Sequence, residues 1–177
     1  NVIKDSDILK KVWLPGLSIW LGLFLFTLST LTEVFWVGFV SKSELVILGI
    51  CIPIVAIVSA AVLGAGTGIT VRAAQLNAVD SERTIGCFAP GVTLQIIIAC
   101  LMIIPIFTLA PMVAKLSLNS DLDIFRVVQY LRIWSIAILC GIPLFAMGAY
   151  FRGIGKPKES LKILIVVSVF TSLMQPL

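Results

Sequence analysis

The sequence has no histidine, and charge is scarce: of 177 residues, 12% are charged against 59% hydrophobic. Without an imidazole, the side chain that titrates nearest neutral pH and a leading zinc ligand are both missing. The four cysteines, Cys51, Cys87, Cys100 and Cys140, show no C-x-x-C spacing and fall within or at the ends of apolar runs. They read as packing residues, and no metal or other cofactor is expected. No paired carboxylates lie inside an apolar run and no nucleophile elbow is present, which argues against an enzyme. Soluble domains are roughly one quarter charged, so the shortfall excludes that class. The solvent this chain is built for is a lipid bilayer.

What the chain has instead is long stretches free of charge: 21 residues over 12–32, 27 over 45–71, 31 over 84–114, 19 over 133–151, and 15 from 163 onward. About 20 apolar residues cross a hydrocarbon core, so four full spans and a fifth, shorter one are expected. The fold class is all-α, a polytopic membrane helix bundle, with helices at about 13–39, 45–71, 85–110, 124–151 and 161–177. Membrane β-strands would be about 10 residues long and alternating, a pattern these runs lack. The first span is too long and too embedded in a multi-span pattern for a cleavable signal. A chain opening at Asn1 and closing inside an apolar run is expected to be a piece of a longer polypeptide.

Nine of the thirteen basic residues, Lys4, Lys10, Lys11, Arg72, Arg83, Arg152, Lys156, Lys158 and Lys162, fall on one side of this map. Lys42, Lys115, Arg126 and Arg132 fall on the other. The positive-inside rule predicts a multi-pass protein of the cell membrane with its N-terminus and the loops near 72–85 and 152–162 in the cytoplasm. The net charge of +4 thereby reports topology, and no nucleic-acid partner is expected. Asn119-Ser120-Asp121 predicts a capped helix start, Gly153-Ile154-Gly155-Lys156-Pro157 a helix stop, and Ser160 a cap for the fifth helix. Ala60, Gly64 and Gly68 recur every four residues, a face that predicts close helix packing. Pro53, Pro90, Pro105 and Pro143 predict bends.

The first apolar run carries a carboxylate, Glu33, within FTLSTLTEVFWVGF (26–39). At 100° per residue, Ser18, Gly22, Ser29, Glu33 and Trp36 lie within about 60° of one another, so the acid shares a polar, small-residue face that should look inward. A carboxylate within a span is costly and marks a functional site by default. Ser168, Thr171, Ser172 and Gln175 form a second polar stripe on the fifth helix. The competing reading of Glu33 is a structural ion pair with Arg132, which lies at a similar depth.

Several stretches, in order, resemble the multidrug and toxic compound extrusion (MATE) transporters over essentially the whole chain. TEVFWVG (32–38) is similar to the family's first-helix D-T-I-x-V-G, with Glu33 at the acidic position. Pro53, GAGTGITVR (64–72) and NAVD (77–80) resemble the second helix and its G-x-G-D loop, with Asn77 and Val79 replacing glycines. YLRI (130–133) and RGIGKP (152–157) resemble the fourth helix and the following L-R-G-x-G-D-x-x-x-P, with Lys156 where Asp is usual. TSLMQP (171–176) aligns with the fifth helix's N-x-x-x-D-P.

The resemblance implies one lobe of a two-lobe transporter, five helices of a six-helix unit. The N-terminal lobe fits best, and the distantly similar C-terminal lobe stays open. It implies export of drugs or organic cations, amphiphilic small molecules, driven by protons or sodium. The family's cation-site positions fall on Glu33, Tyr130, Thr171 and Gln175. With Thr171 and Gln175 replacing an amide and a carboxylate, a single anionic group remains. Sodium prefers several charged oxygens, so protons are favoured over sodium as the coupling ion. Two other readings stand beside this one. A lipid-linked oligosaccharide flippase of the same superfamily would need a cavity lined by several cations, and only Arg132 qualifies. A non-transporting membrane scaffold would place every polar residue at a helix contact.

Overall fold

The computed structural model describes residues 5–79, 83–118 and 120–174. Five helices run alternately up and down: α1 (Asp5–Val40), α2 (Lys42–Val79), α3 (Phe88–Ser117), α4 (Asp121–Gly153) and α5 (Pro157–Met174), with a short 3-10 helix at Arg83–Cys87 before α3. Four helical stretches, Gly16–Val40, Lys42–Val79, Thr84–Leu116 and Asp121–Gly153, are long and apolar enough to cross a membrane. The described part of α5 has 18 residues and opens on Pro157-Lys158-Glu159, so it falls short of the other four.

Several helices outrun the expected bounds. α2 continues to Val79 instead of stopping at 71, because ITVRAAQLNAV (69–79) holds no glycine or proline and is rich in helix formers. Its 38 residues measure about 57 Å against a core of about 30 Å, so its polar end projects past the hydrocarbon. α3 likewise runs through Pro111 to Ser117. α5 begins at Pro157 rather than 161, because proline at the first helical position has the right φ and no N–H to leave unpaired.

The cap expectations fare unevenly. Gly155, at φ +74°, closes α4 with its N–H on the Arg152 carbonyl at 3.2 Å, the stop predicted from its motif. Ser120 occupies the α4 N-cap with extended backbone, but its hydroxyl makes no capping bond. Ser160 does not cap α5: it lies within the first turn, 2% exposed, and accepts a hydrogen bond from Arg152.

Packing divides the bundle unevenly. Every buried hydrophobic side chain among the described residues belongs to α2, α3 or α4. Cys51, Val58 and Val62 meet Ala99, Ile103 and Ala110, and both sets meet Val127, Leu131 and Ile142. α1 packs on α2 and α5, and α5 on α1 and α4. At the α1–α5 contact Gly22 is buried, and a Cβ there would fall 2.7 Å from Leu164 Cδ1. The small-residue face of α2 is not the packed one. Ala60, Gly64 and Gly68 are exposed, whereas Gly66 is buried against Gln95 and Ala149. The cysteines differ likewise: Cys51 is buried, Cys87 and Cys100 are partly so, and Cys140 is exposed.

Candidate coupling site

The polar face predicted on α1 turns toward α5 and α4. Ser29 Oγ lies 3.1 Å from Thr171 Oγ1 of α5. One turn further along α1, the Tyr130 hydroxyl of α4 donates to Glu33 Oε1 at 3.1 Å. Glu33 and Tyr130 are both half-buried. α1 and α4 are not packed neighbours, so this hydrogen bond bridges a gap flanked by α2 and α5. Counting 1.5 Å per residue, Glu33 sits about 10 Å in from the Val40 end of its span, within the hydrocarbon.

Two of the four predicted site residues are therefore in contact. Thr171 belongs to the same seam but touches Ser29, and its hydroxyl also bonds its own helix at Val167 O, 2.9 Å away. Gln175 lies outside the described residues. Arg132 does not pair with Glu33: its guanidinium lies 5.8 Å from the centre of the Phe107 ring, on the α3 side of α4. The pairing fails because Tyr130 and Arg132, two residues apart on a helix, point in directions about 160° different. Among the described residues, Arg126 and Glu44 form the ion pair that joins two helices, partly exposed at the same end of the bundle. No group of three or more His, Cys, Asp or Glu residues that could hold a metal ion occurs among the described residues.

The profile of the MatE family matches residues 19–177. This chain belongs to that family. No curated protein and no solved structure matches it significantly. MatE proteins are transporters of the MATE superfamily and not enzymes, so a multi-pass membrane protein in a lipid bilayer is the setting for these contacts.

Within that setting, one polar residue escaped the sequence reading. Gln95 of α3 is fully buried between the helices, with its Nε2 on the Val62 carbonyl at 3.0 Å. Its Oε1 is buried with no hydrogen-bond partner. The signal was available: it is a lone amide in an apolar run, a position that is expensive in a membrane. The MatE motif segments also explain one another. Thr70 of GAGTGITVR donates to Ala149 O at 2.9 Å, and Gly153 of RGIGKP seats its backbone on Thr70 and Ala73.

Proposed function

We propose that this chain is one lobe of a cation-coupled exporter of drugs or organic cations, with Glu33 as the group that takes up the coupling proton. The hydrogen bond from Tyr130 to Glu33 supports the reading above all else. A carboxylate within a span that meets a neutral phenol, and no cation among the described residues, can change charge without abandoning a partner that needs it charged. When Glu33 is ionised it accepts from Tyr130; when protonated, that charge-assisted bond weakens and the α1–α4 bridge loosens. Coupling follows if the two bundle conformations differ in proton affinity, since a ligand shifts an equilibrium only by its differential affinity. Thr171 and Gln175 complete the proposed site as neutral oxygen donors. With one carboxylate, protons are favoured over sodium, which prefers more anionic oxygen.

The test is transport by the complete polypeptide in proteoliposomes under an imposed proton gradient. Glu33→Gln should abolish pH-driven export of an organic cation while inserting and folding normally, and Glu33→Asp should retain part of it. Undiminished efflux by Glu33→Gln would move coupling elsewhere.

A further inference from the structure

The end of the bundle where α2 finishes and α4 turns into α5 is rich in cations. Among the described residues, Arg72 of α2, Arg152 of α4 and Lys156, Lys158 and Lys162 of the turn and α5 lie there, with Glu159 as the carboxylate on the same turn. Topology rules ask only for a count of charges in short loops. Here the cations are also placed. Three backbone bonds fix the connection: Ile154 N to Tyr150 O at 3.0 Å, Gly155 N to Arg152 O at 3.2 Å, and Lys156 N to Phe151 O at 2.9 Å. This closed turn presents Lys156 and Lys158 to the exterior, while Glu159 is neutralised by Lys162 at 2.8 Å. Arg72 stands exposed on α2, next to the Thr70 and Ala73 backbone on which Gly153 rests.

Arg152 is the decisive member. It is half-buried, yet among the described residues its guanidinium meets no carboxylate and makes one hydrogen bond, to the Ser160 hydroxyl at 3.0 Å. A guanidinium has five N–H donors in a planar fork suited to phosphate, and burying it against one neutral acceptor leaves the charge uncompensated. We infer that Arg152, with Lys156 and Lys158 on the adjoining turn and Arg72 at the same end of α2, seats the phosphate headgroup of an anionic phospholipid at the edge of the bilayer. Basic clusters at a membrane surface recognise such headgroups, and exposed Val71 of α2 and Ile165 and Val166 of α5 offer apolar surface to the acyl chains. The inference stands independently of the role proposed for Glu33.

Native mass spectrometry of the purified chain in detergent, titrated with phosphatidylglycerol or phosphatidylcholine of matched chains, tests it. Phosphatidylglycerol should be retained in preference to phosphatidylcholine. Lys156→Gln and Lys158→Gln, both at exposed positions, should each weaken retention about fivefold, the effect of one basic residue near an anionic surface. Arg152→Gln should weaken it at least as much, with circular dichroism reporting whether the helices are intact. Millimolar inorganic phosphate should not displace the lipid. Equal retention of the two lipids, or unchanged phosphatidylglycerol binding in the Lys156→Gln, Lys158→Gln double variant, overturns the inference. Displacement by inorganic phosphate also overturns it, in favour of a site for a free anion.

Discussion

Gly153 ends α4 at the point where it crosses α2, and adding one carbon there measures how tightly the two helices are held. A Cβ at this position would lie 2.6 Å from the Thr70 carbonyl oxygen and 2.6 Å from Ala73 Cβ. Both distances are roughly 1 Å short of the ~3.5 Å at which carbon contacts become attractive. The Thr70 atom is backbone and cannot rotate away, so α4 or α2 must move. The seam they would open also holds the Thr70 hydroxyl against Ala149 O at 2.9 Å. Overpacking of this kind costs about 1 to 3 kcal/mol. Against it stands the helix-propensity gain of Gly→Ala, about 1 kcal/mol in a helix interior and less at a helix end. Overpacking wins, and Gly153→Ala should lose about 1 to 2 kcal/mol. Gly64→Ala is the control, because a Cβ there meets nothing within 4 Å and only propensity acts. It should be neutral or up to about 1 kcal/mol more stable. Unfolding in mixed micelles with increasing sodium dodecyl sulfate, followed by circular dichroism, measures both. Gly153→Ala unfolding at or above the wild-type midpoint would refute the packing described for α2 and α4.

Tyr130→Phe removes the donor to Glu33 and should cost about 1.5 to 3 kcal/mol in the same assay, the range for a hydrogen bond to a charged group. A midpoint unchanged from wild type would mean that water replaces the phenol without loss. Gln95→Leu removes a buried amide whose Oε1 has no partner, so it should come within about 1 kcal/mol of wild type, whereas Gln95→Ala should lose about 2 kcal/mol through the cavity. A large loss in Gln95→Leu would reveal a partner for that oxygen. In a double-mutant cycle, Glu33→Gln and Arg132→Met should add within about 0.5 kcal/mol, since the two residues share no partner. Coupling above roughly 2 kcal/mol would restore the ion pair.

Helix number and order were legible because charge-free runs in a membrane protein have no alternative to helix: every backbone polar group must be satisfied internally. Helix ends were less so, since α2 and α3 continue into water where hydropathy no longer marks them. The inward face of α1 was legible from Ser29 and Glu33, which fall on one side at helical spacing. The partner chosen on α4 follows from which way each side chain points. Depth matched Arg132 to Glu33 and the family resemblance pointed to Tyr130, and helix phase turns the phenol, not the guanidinium, toward Glu33. The glycine stripe misled for a related reason. Ala60, Gly64 and Gly68 satisfy a small-residue spacing, yet spacing does not say whether a neighbour lies on that face, and Gly66 is the residue that Gln95 approaches.

The division of the bundle bears on where a change of charge can act. α2, α3 and α4 share an apolar core in which Leu131, Ile142 and Val127 are fully buried. Close-packed interiors of that kind resist small displacements. α1 and α5 contribute no buried hydrophobic side chain among the described residues, and polar contacts join them to each other and to α4: Ser29 to Thr171, Tyr130 to Glu33, and Arg152 to Ser160. A hydrogen bond to a charged group contributes about 1.5 to 3 kcal/mol. That is small beside a packed core but comparable to the difference between two conformations that both need to be populated. A proton arriving at Glu33 would act at the seam where it meets the least opposition from packing. The same proton placed among the residues around Leu131 would have to disrupt the core to move anything.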